Sequence, residues 1–486
     1  MEGMTVAETA AGKVRGIEIA DGIIAWRGIP YAQPPIGELR LRPPRPPLPW
    51  PGVRDATGYG SRSLQPPGIT PEPDAPPMDE DCLYLNVTAP SGASDRPVLF
   101  WVHGGGFEMG HGTDQASDGA AFALSHGIVV VTFNYRLGAL GFLDVEGENP
   151  TGALGLHDQI AALRWTRENI AGFGGDPDQI TVYGLSAGGK TITNLLASPL
   201  TRGMIRRAAE SSGGDHLKSP TQAALLAERF FRELGTGPER IRDVPAQDIL
   251  AAQLAIAEPP RSAWVWRPSV DGTALTTHPL RAIEAGAAAG IPLLAQTCAN
   301  ECAYYQLIAP DAAGQAEQVL TFYFGARTKD TLLAAYTANN PGLDATALGT
   351  TIMTDERYVV RTGRLADAQS AHAPVWRSRY DGPYTGFPDA PEFAGYEAAV
   401  FAAHGGDGTG IFEGGEGLSG RLHDAWGSFV TTGDPGWARY TLKDRGTMIF
   451  DPAGQYLAAD PFGDVRDAWH GLDWRPGAWW RYDGVD

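Results

Sequence analysis

The region from residue 97 to residue 199 constrains the fold most, because apolar runs and an amphipathic stretch alternate through it. The runs "PVLFWV" and "GIVVVTFNYR" are short, continuously apolar and bounded by glycine or polar residues, which is typical of strands buried on both faces. Between the second run and a further strand, "QITVYG", lies "LGLHDQIAALRWTRENI", and a helix over "KTITNLLASP" ends at Pro199. The apolar positions of the longer helix share one face: Leu156, Ile160, Leu163 and Ile170.

Strands that alternate with helices pair in parallel, because the helix carries the chain back across the sheet. This order predicts an α/β fold with a large, mostly parallel, doubly wound sheet and helices on both faces. Beyond about residue 221 the residue pattern becomes typical of helices, as in "TQAALLAERFFREL". Patterns typical of strands return at "IPLLAQ" and "VWRSRY". We expect a single domain over residues 1–486, with helical insertions at about 215–260 and 310–370.

The composition excludes several classes of partner. With 38 Lys and Arg against 57 Asp and Glu, the 486-residue chain carries a formal charge of -19, which repels nucleic acid. The chain has no run of about 18 uncharged apolar residues to span a bilayer, and the acidic start "MEGMTVAETAAGKVRG" is unlike a secretory signal. We expect a cytoplasmic protein that binds neither nucleic acid nor membrane. The oligomeric state stays open, with a monomer favoured.

The three cysteines are too few to predict a disulfide framework. Cys298 and Cys302 are spaced C-x3-C, but neighbouring histidines that could complete a metal site are missing. The spacing therefore favours structural thiols, and we expect no metal.

A serine flanked by glycines stands in "VYGLSAGGK". The pattern G-x-S-x-G alone is weak, because any glycine-rich turn can match it. Its context strengthens it, since a nucleophile elbow needs a buried strand that ends at the serine and a helix that begins just after it. We predict that Ser186 is a catalytic nucleophile, with an ordinary turn serine as the alternative.

An upstream loop offers what such a serine needs. Attack on a carbonyl creates a negative oxygen, and backbone N–H groups of a glycine-rich loop can stabilise it. "HGGGF", residues 103–107, directly follows the run "LFWV". Alone it would fit a phosphate loop or a turn, but upstream of an elbow it predicts an oxyanion hole made by the N–H groups of Gly105, Gly106 and Ala187.

Several long stretches make the sequence resemble the type-B carboxylesterases, the family of cholinesterases and bacterial para-nitrobenzyl esterases. They include "WRGIPYAQPPIGELRLRPP", "EDCLYLNV", "WVHGGGFEMG", "FNYRLGALGFL", "GLHDQIAALRWTRENIAGFGGDPDQITVYGLSAGG", "VDGTAL" and "AWGSFVTTGDPGW". The resemblance implies an α/β-hydrolase fold. It also implies a Ser-Glu-His triad that hydrolyses a small-molecule carboxylic ester to acid and alcohol through an acyl-enzyme, without a cofactor.

The resemblance also assigns the triad acid. In the family a glutamate follows the strand equivalent to "IPLLAQ", and Glu301 in "QTCANECAYY" stands at that place. The rival is Asp271 in "SVDG", which in the family belongs to a structural turn.

The triad base is assigned in the same way. Such triads run in the order nucleophile, acid, histidine, which excludes His103 and His157 upstream of the elbow. Downstream, "AAHGGDGTGIF" resembles the family's histidine loop, which has an acidic residue three places on and an aromatic residue eight places on. This implies His404 as the base, with Asp407 as the acidic residue. His423 would lie on the helix that follows.

The sequence departs from the family at the position before the nucleophile. Most members have a glutamate there, a second negative charge near the imidazolium, and this chain has Leu185. We expect a working esterase with altered pH dependence or substrate choice. "AAESSGG" stands where the family has a supporting serine, which implies Ser212 near His404. Cys82 lacks the family's disulfide partner, because Leu64 occupies that position, and should be a free buried thiol.

Two further interpretations stay open. The same triad hydrolyses carbamates, aryl or phthalate esters, or polyester oligomers, and the sequence does not choose among them. A non-catalytic adhesion or scaffold protein on the same fold is an alternative of another class. Such relatives typically lose the nucleophile, whereas this chain keeps Ser186, Glu301 and His404.

Overall fold

The computed structural model describes residues 6–67, 74–113, 118–145, 152–256, 265–303, 316–384 and 401–472. Its strands are β1 Val6–Thr9, β2 Gly12–Arg15, β3 Ile17–Ala20, β4 Ile23–Pro30, β5 Val53–Asp55, β6 Tyr84–Pro90, β7 Arg96–Val102, β8 Val129–Phe133, β9 Gly175–Leu185, β10 Arg207–Ser211, β11 Leu293–Cys298, β12 Val375–Tyr380, β13 Thr447–Asp451 and β14 Gly454–Ala458. Its α-helices are Ala120–His126, Gly138–Phe142, Leu154–Asn169, Ala187–Ala197, Pro220–Leu234, Ala246–Ile256, Pro279–Glu284, Ala316–Asn339, Ala345–Thr354, Val360–Ser370, Gly408–Glu413, Gly417–Thr432 and Gly463–Ala468.

Eleven of the described strands form one sheet in the order β14-β13-β12-β11-β10-β9-β7-β8-β6-β4-β3. All neighbours from β13 to β8 are parallel. β14 at one end, and β6, β4 and β3 at the other, run antiparallel to their neighbours. The remaining strands, β1, β2 and β5, form a separate small sheet. The prediction of a large, mostly parallel sheet is confirmed.

The central strands are apolar on both faces because helices cover both faces. In β7, Val98 packs in one hydrophobic cluster and the next residue, Leu99, in a second one. The cluster around Val98 includes residues of the helices Leu154–Asn169 and Ala187–Ala197. The cluster around Leu99 includes residues of the helices Ala120–His126 and Gly417–Thr432. Because both faces of these strands are buried, their sequences are continuous apolar runs.

The predicted amphipathic helix is confirmed as Leu154–Asn169, continued by a 3-10 turn, Ile170–Phe173. The positions chosen by spacing are each at most 2% exposed: Leu156, Ile160, Leu163 and Ile170. One predicted strand is shifted, since β11 runs to Cys298 rather than ending at Gln296. The physical reason is that Cys298 still pairs with Tyr380 of β12.

Helical segments fall at the two places predicted for insertions. Pro220–Leu234 and Ala246–Ile256 lie between β10 and β11, and the helices from residue 316 to residue 370 lie between β11 and β12. Pro220–Leu234 begins at a capping box, in which Ser219 and Gln222 satisfy each other's backbone N–H groups. The division of residues 1–486 into one domain with insertions at about 215–260 and 310–370 stays a prediction.

In the described part of the chain, no helix combines the length and apolarity that crossing a bilayer requires. Cys82, Cys298 and Cys302 are buried and free, which confirms the expectation for Cys82. No group of three or more His, Cys, Asp or Glu side chains within the described ranges is placed to hold a metal ion.

Candidate active site

Loops at the carboxyl edge of the sheet bring the predicted site residues together. Ser186 follows β9, Ser212 follows β10, and Glu301 lies three residues after β11. The glycine loop of residues 103–107 follows β7. Because β7, β9, β10 and β11 are parallel neighbours, these loops emerge side by side, and the edge where they meet is where α/β sheets place their ligands.

The serine stands on a strained turn. Ser186 has φ 61° and ψ -120° between β9 and the helix Ala187–Ala197, and such a conformation costs roughly 1–3 kcal/mol. The flanking glycines are required by close approach. A Cβ at Gly184 would come within 2.4 Å of the Gly188 carbonyl, and one at Gly188 within 2.0 Å of the Val102 oxygen. The spacing G-x-S-x-G therefore follows from the packing of the turn.

The serine, the histidine and the glutamate form one chain of hydrogen bonds. Ser186 Oγ lies 2.7 Å from Nε2 of His404, and Nδ1 of His404 lies 2.7 Å from Oε2 of Glu301. Because a carboxylate only accepts hydrogen bonds, Nδ1 carries the hydrogen and Nε2 accepts from the serine hydroxyl. The ring is thus in the tautomer that can take the proton of Ser186.

Glu301 is fully buried and held from several sides. Its second carboxylate oxygen, Oε1, accepts from Ser212 Oγ at 2.7 Å and from the N–H of Cys298 at 2.8 Å. Its backbone carbonyl accepts from the N–H of His404 at 3.0 Å. These bonds fix the acid and the histidine loop to each other. Ser212, predicted as a supporting hydroxyl near His404, touches the acid partner of that histidine.

The glycine loop leaves backbone donors available. Gly105 and Gly106 have φ of 104° and 66°, and a Cβ at Gly105 would lie 2.1 Å from the Met109 oxygen. Within the described residues, the N–H groups of both glycines have no hydrogen-bond acceptor. The loop touches the elbow, because a Cβ at Gly104 would lie 3.2 Å from Cβ of Ser186. Ala187 opens a helix, where the first N–H groups have no intrahelical partner.

Leu185 packs between the loops of the site. Its Cδ2 lies 3.6 Å from where a Cβ of Gly104 would stand, and its Cδ1 lies 3.2 Å from the corresponding point at Gly408. It also contacts the apolar cluster that contains Phe412. Leu185 is therefore a half-buried apolar contact between the glycine loop and the loop that carries His404.

Asp407 is a second buried carboxylate, close to Glu301. Gln296 Nε2 donates to its Oδ2 at 2.6 Å, and the Cys298 thiol approaches its Oδ1 at 3.7 Å. Burial raises the pKa of Asp407, an effect that the Gln296 hydrogen bond opposes and the charge of Glu301 reinforces. Asp407 is thus a fixed polar contact between β11 and the histidine loop.

Two side chains at the site were not predicted. The Tyr358 ring stacks on the His404 ring, with 4.5 Å between centroids and 30° between planes. Lys190 Nζ lies 4.5 Å from the centre of the Tyr358 ring. The only charged residue in the helix Ala187–Ala197 is Lys190, and this was a signal that the sequence offered for it. No sequence pattern links Tyr358 to His404.

The residues that the sequence analysis rejected have structural partners. Asp271 accepts from the N–H groups of Thr273 and Leu275 at 3.0 and 2.9 Å, as a turn aspartate does, and lies 2.6 Å from Nε2 of His157. His423 lies on the helix after the histidine loop, as expected, and bonds to Ser125 and to a backbone carbonyl.

Comparison with known proteins identifies the family. The profile described as "Carboxylesterase family" matches residues 4–453. The chain is 37% identical over 478 residues to the para-nitrobenzyl esterase of Bacillus subtilis (strain 168), covering 92% of this chain and 94% of that protein. It is 34% identical over 502 residues to the fumonisin B1 esterase of Sphingopyxis macrogoltabida, covering 97% and 88%.

Solved structures of carboxylesterases also match this chain. The carboxylesterase of Geobacillus stearothermophilus at pH 6.2 matches with a TM-score of 0.82 and 36% identity, covering 96% of this chain and 100% of that one. A thermophilic PNB esterase matches with a TM-score of 0.84 and 32% identity, covering 96% and 99%. The fold is that of the α/β hydrolases, as predicted. Within that class, this chain belongs to the carboxylesterase family and is a carboxylic ester hydrolase.

Proposed function

We propose that this enzyme hydrolyses uncharged carboxylic esters with Ser186 as nucleophile, His404 as general base and Glu301 as the acid that orients the base. One observation carries the proposal. An unbroken chain of hydrogen bonds joins Ser186 Oγ through both ring nitrogens of His404 to the Glu301 carboxylate, with 2.7 Å at each link. A nucleophile within reach of a base that a third group orients is the arrangement that acyl transfer needs.

In the first half-reaction Ser186 Oγ attacks the ester carbonyl carbon while its proton moves to Nε2 of His404. The ring then carries hydrogens on both nitrogens and a positive charge. Glu301 keeps its hydrogen bond to Nδ1 and stabilises that charge without taking the proton. Because Glu301 is already fixed by Ser212 and Cys298, it needs no rearrangement as the charge forms.

The former carbonyl oxygen becomes an oxyanion at this stage. We propose that the N–H groups of Gly105, Gly106 and Ala187 bind it. Preorganised donors of this kind stabilise the transition state because they are already aimed at the place where the charge develops. Gly105 and Gly106 support the proposal, since their N–H groups have no other acceptor among the described residues.

The tetrahedral intermediate collapses when Nε2 of His404 gives its proton to the alcohol oxygen, which breaks the C–O bond and leaves an acyl group on Ser186. A water molecule then takes the place of the alcohol. His404 removes a proton from that water, the hydroxide attacks the acyl carbon, and the same proton returns to Ser186 Oγ as the acid leaves. No metal or cofactor takes part in the proposed cycle.

The substrate class is proposed from the site and from the names of the relatives. The apolar side chain of Leu185 lies beside the elbow, and the two relatives are named for a para-nitrobenzyl ester and for fumonisin B1. Carbamates, aryl or phthalate esters and polyester oligomers use the same chemistry. A panel of p-nitrophenyl esters graded by acyl length separates these cases, because the steepest fall in kcat/KM locates the limit of the pocket.

Ser186→Ala tests the proposed nucleophile. We expect kcat/KM on p-nitrophenyl acetate to fall at least about 10³-fold, because a triad without its nucleophile keeps only binding and the oxyanion hole. Ser198→Ala is the matched control, since Ser198 is also buried but caps a distant turn. The proposal is wrong if Ser186→Ala keeps more than a tenth of the activity. A wild type that hydrolyses no ester would favour the adhesion or scaffold alternative.

We also propose that the enzyme works as a monomer in the cytoplasm. The support for the compartment is that Cys82, Cys298 and Cys302 are all buried and free, as thiols are in a reducing environment. Cell fractionation tests the location, and sedimentation of the purified enzyme tests the oligomeric state.

A further inference from the structure

Lys190 is a buried cation beside the triad to which the proposed mechanism gives no role. It lies four residues after Ser186 on the helix Ala187–Ala197, and it is 6% exposed. Burial lowers its pKa to about 8. Because an ammonium group is costly to remove from water, its position requires specific compensating contacts.

The first of these contacts is with the backbone of Ser212 and Gly213, next to Glu301. Lys190 Nζ donates to the carbonyl of Gly213 at 3.1 Å and approaches that of Ser212 at 3.4 Å. The hydroxyl of Ser212 in turn donates to Oε1 of Glu301 at 2.7 Å. The backbone of Ser212 is strained, with φ 54°, so its position depends on contacts that hold it there. Lys190 is one of them.

The second contact reaches the base. Lys190 Nζ lies 4.5 Å from the centre of the Tyr358 ring, within the range of a cation–π interaction. The same ring stacks on His404 at 4.5 Å. The position of the tyrosine ring, which limits the rotation of the imidazole, is therefore coupled to Lys190.

Charged groups from several elements surround the ammonium. Glu210 on β10, Glu301 after β11 and Asp215 after β10 favour its positive charge, and Arg357 opposes it. The attraction from the three carboxylates offsets part of the cost of burial. Lys190 is thus a cation on the helix Ala187–Ala197 that contacts both the backbone of Ser212 and Gly213 and the Tyr358 ring.

We propose that Lys190 is a positioning residue, which holds Tyr358 against His404 and the Ser212 loop against Glu301. The proposal rests on the triad proposed above, because it concerns the alignment of that triad. Lys190 acts through these neighbours and need not touch the substrate. Its loss should therefore lower kcat and leave KM nearly unchanged.

Lys190→Met, which keeps the length of the side chain and removes its charge, tests the proposal. We expect kcat to fall about 10- to 100-fold, because a misplacement of about 1 Å in a catalytic group costs that much, with KM within about twofold of wild type. Lys218→Met is the matched control. Lys218 is 3% exposed and donates to the Phe142 carbonyl, and its loss should leave kcat within about twofold. Each rate is divided by the concentration of enzyme that an organophosphate labels, so that only active molecules are counted.

Tyr358→Leu separates the two arms of the proposal. We expect this variant to lower kcat as well, and the double variant Lys190→Met/Tyr358→Leu to lose less than the product of the two single losses, since the residues act on one unit. If Lys190→Met does not yield folded enzyme, Tyr358→Leu alone decides, by the same fall in kcat with KM retained. A kcat within about twofold of wild type in Lys190→Met, or multiplicative losses in the double variant, overturns the proposal.

Ser186→Ala distinguishes a failure of the proposed triad from a failure of the proposed role of Lys190. If Ser186→Ala is inactive while Lys190→Met is fully active, the triad stands and the role of Lys190 is wrong. If Ser186→Ala stays active, the proposed triad itself is wrong.

Discussion

Ser212 Oγ donates a 2.7 Å hydrogen bond to Oε1 of Glu301, and the other oxygen of that carboxylate faces Nδ1 of His404. The two oxygens therefore have separate tasks. Oε1 is held by the protein framework through Ser212 and the N–H of Cys298, while Oε2 is directed at the imidazole. These bonds hold the Glu301 carboxylate in the orientation at which Oε2 meets Nδ1 of His404.

Ser212→Ala should lower kcat/KM about 10-fold with little effect on KM. The reason is that a fully buried carboxylate loses one of its donors, which costs about 1–3 kcal/mol, and Glu301 can rotate away from Nδ1. The measurement is steady-state hydrolysis of p-nitrophenyl acetate. Ser198→Ala again serves as the control. Unchanged kinetics in Ser212→Ala would mean that the bond to Ser212 does not position the acid.

Leu185→Glu should shift the acidic limb of the kcat/KM profile to higher pH. A carboxylate at this place, between the glycine loop and the histidine loop, favours the imidazolium form of His404, so the base stays protonated up to a higher pH. Leu185→Gln is the matched control, because it adds the polar group without the charge. The proposed effect of Leu185 is wrong if Leu185→Glu leaves the pH profile and the ranking of substrates unchanged, or if Leu185→Gln shifts the acidic limb equally.

Gly105→Ala should lower kcat about 10²- to 10³-fold, as the loss of an oxyanion donor does. Its φ of 104° and the Met109 oxygen 2.1 Å from the new Cβ force the loop to move. Gly203→Ala is the control, since Gly203 has φ 74° but open space around it, and only stability should fall there. Equal kcat in the two variants would exclude the loop from the oxyanion hole.

Asp355→Asn should gain stability relative to wild type as the pH rises. Burial raises the pKa of Asp355 to about 7, whereas in the unfolded chain it returns to 3.8, so the folded state holds a proton that the unfolded state has lost. Wild-type stability from this group therefore falls between about pH 4 and pH 7. The asparagine variant does not titrate and keeps an acceptor for Tyr336, which bonds to Asp355 at 2.7 Å.

Urea unfolding of Asp355→Asn and of the wild type at pH 5 and pH 7.5 checks this pH dependence. The difference in unfolding free energy between Asp355→Asn and wild type should change by about 2 kcal/mol in favour of the variant. Asp434→Asn, at an exposed position, is the matched control. A constant difference for Asp355→Asn would contradict the raised pKa.

The sequence was most informative where local geometry demands particular residues. Ser186 and its flanking glycines could be predicted because a strained turn under close contact leaves few choices. The central strands could be predicted because burial on both faces produces continuous apolar runs. Short strands such as β1 and β5 give too few residues for a periodic pattern, and the small sheet that they form with β2 was not predicted.

Tyr358 and Lys190 could not be predicted in the same way. Tyr358 meets His404, and Lys190 meets Tyr358, only through the packing of distant elements. Glu301 and His404 themselves were assigned by resemblance to a family, since many carboxylates and histidines occur in the chain and no local pattern selects these two. Long-range contacts of this kind are set by the tertiary fold.

Ser186 as the nucleophile is tested most directly by the mass of the enzyme after reaction with an organophosphate, followed by peptide mapping. We expect one adduct per chain, located on Ser186 and absent from Ser186→Ala, with loss of esterase activity in proportion to labelling. An adduct on another residue, or full activity in the labelled enzyme, would contradict this role of Ser186.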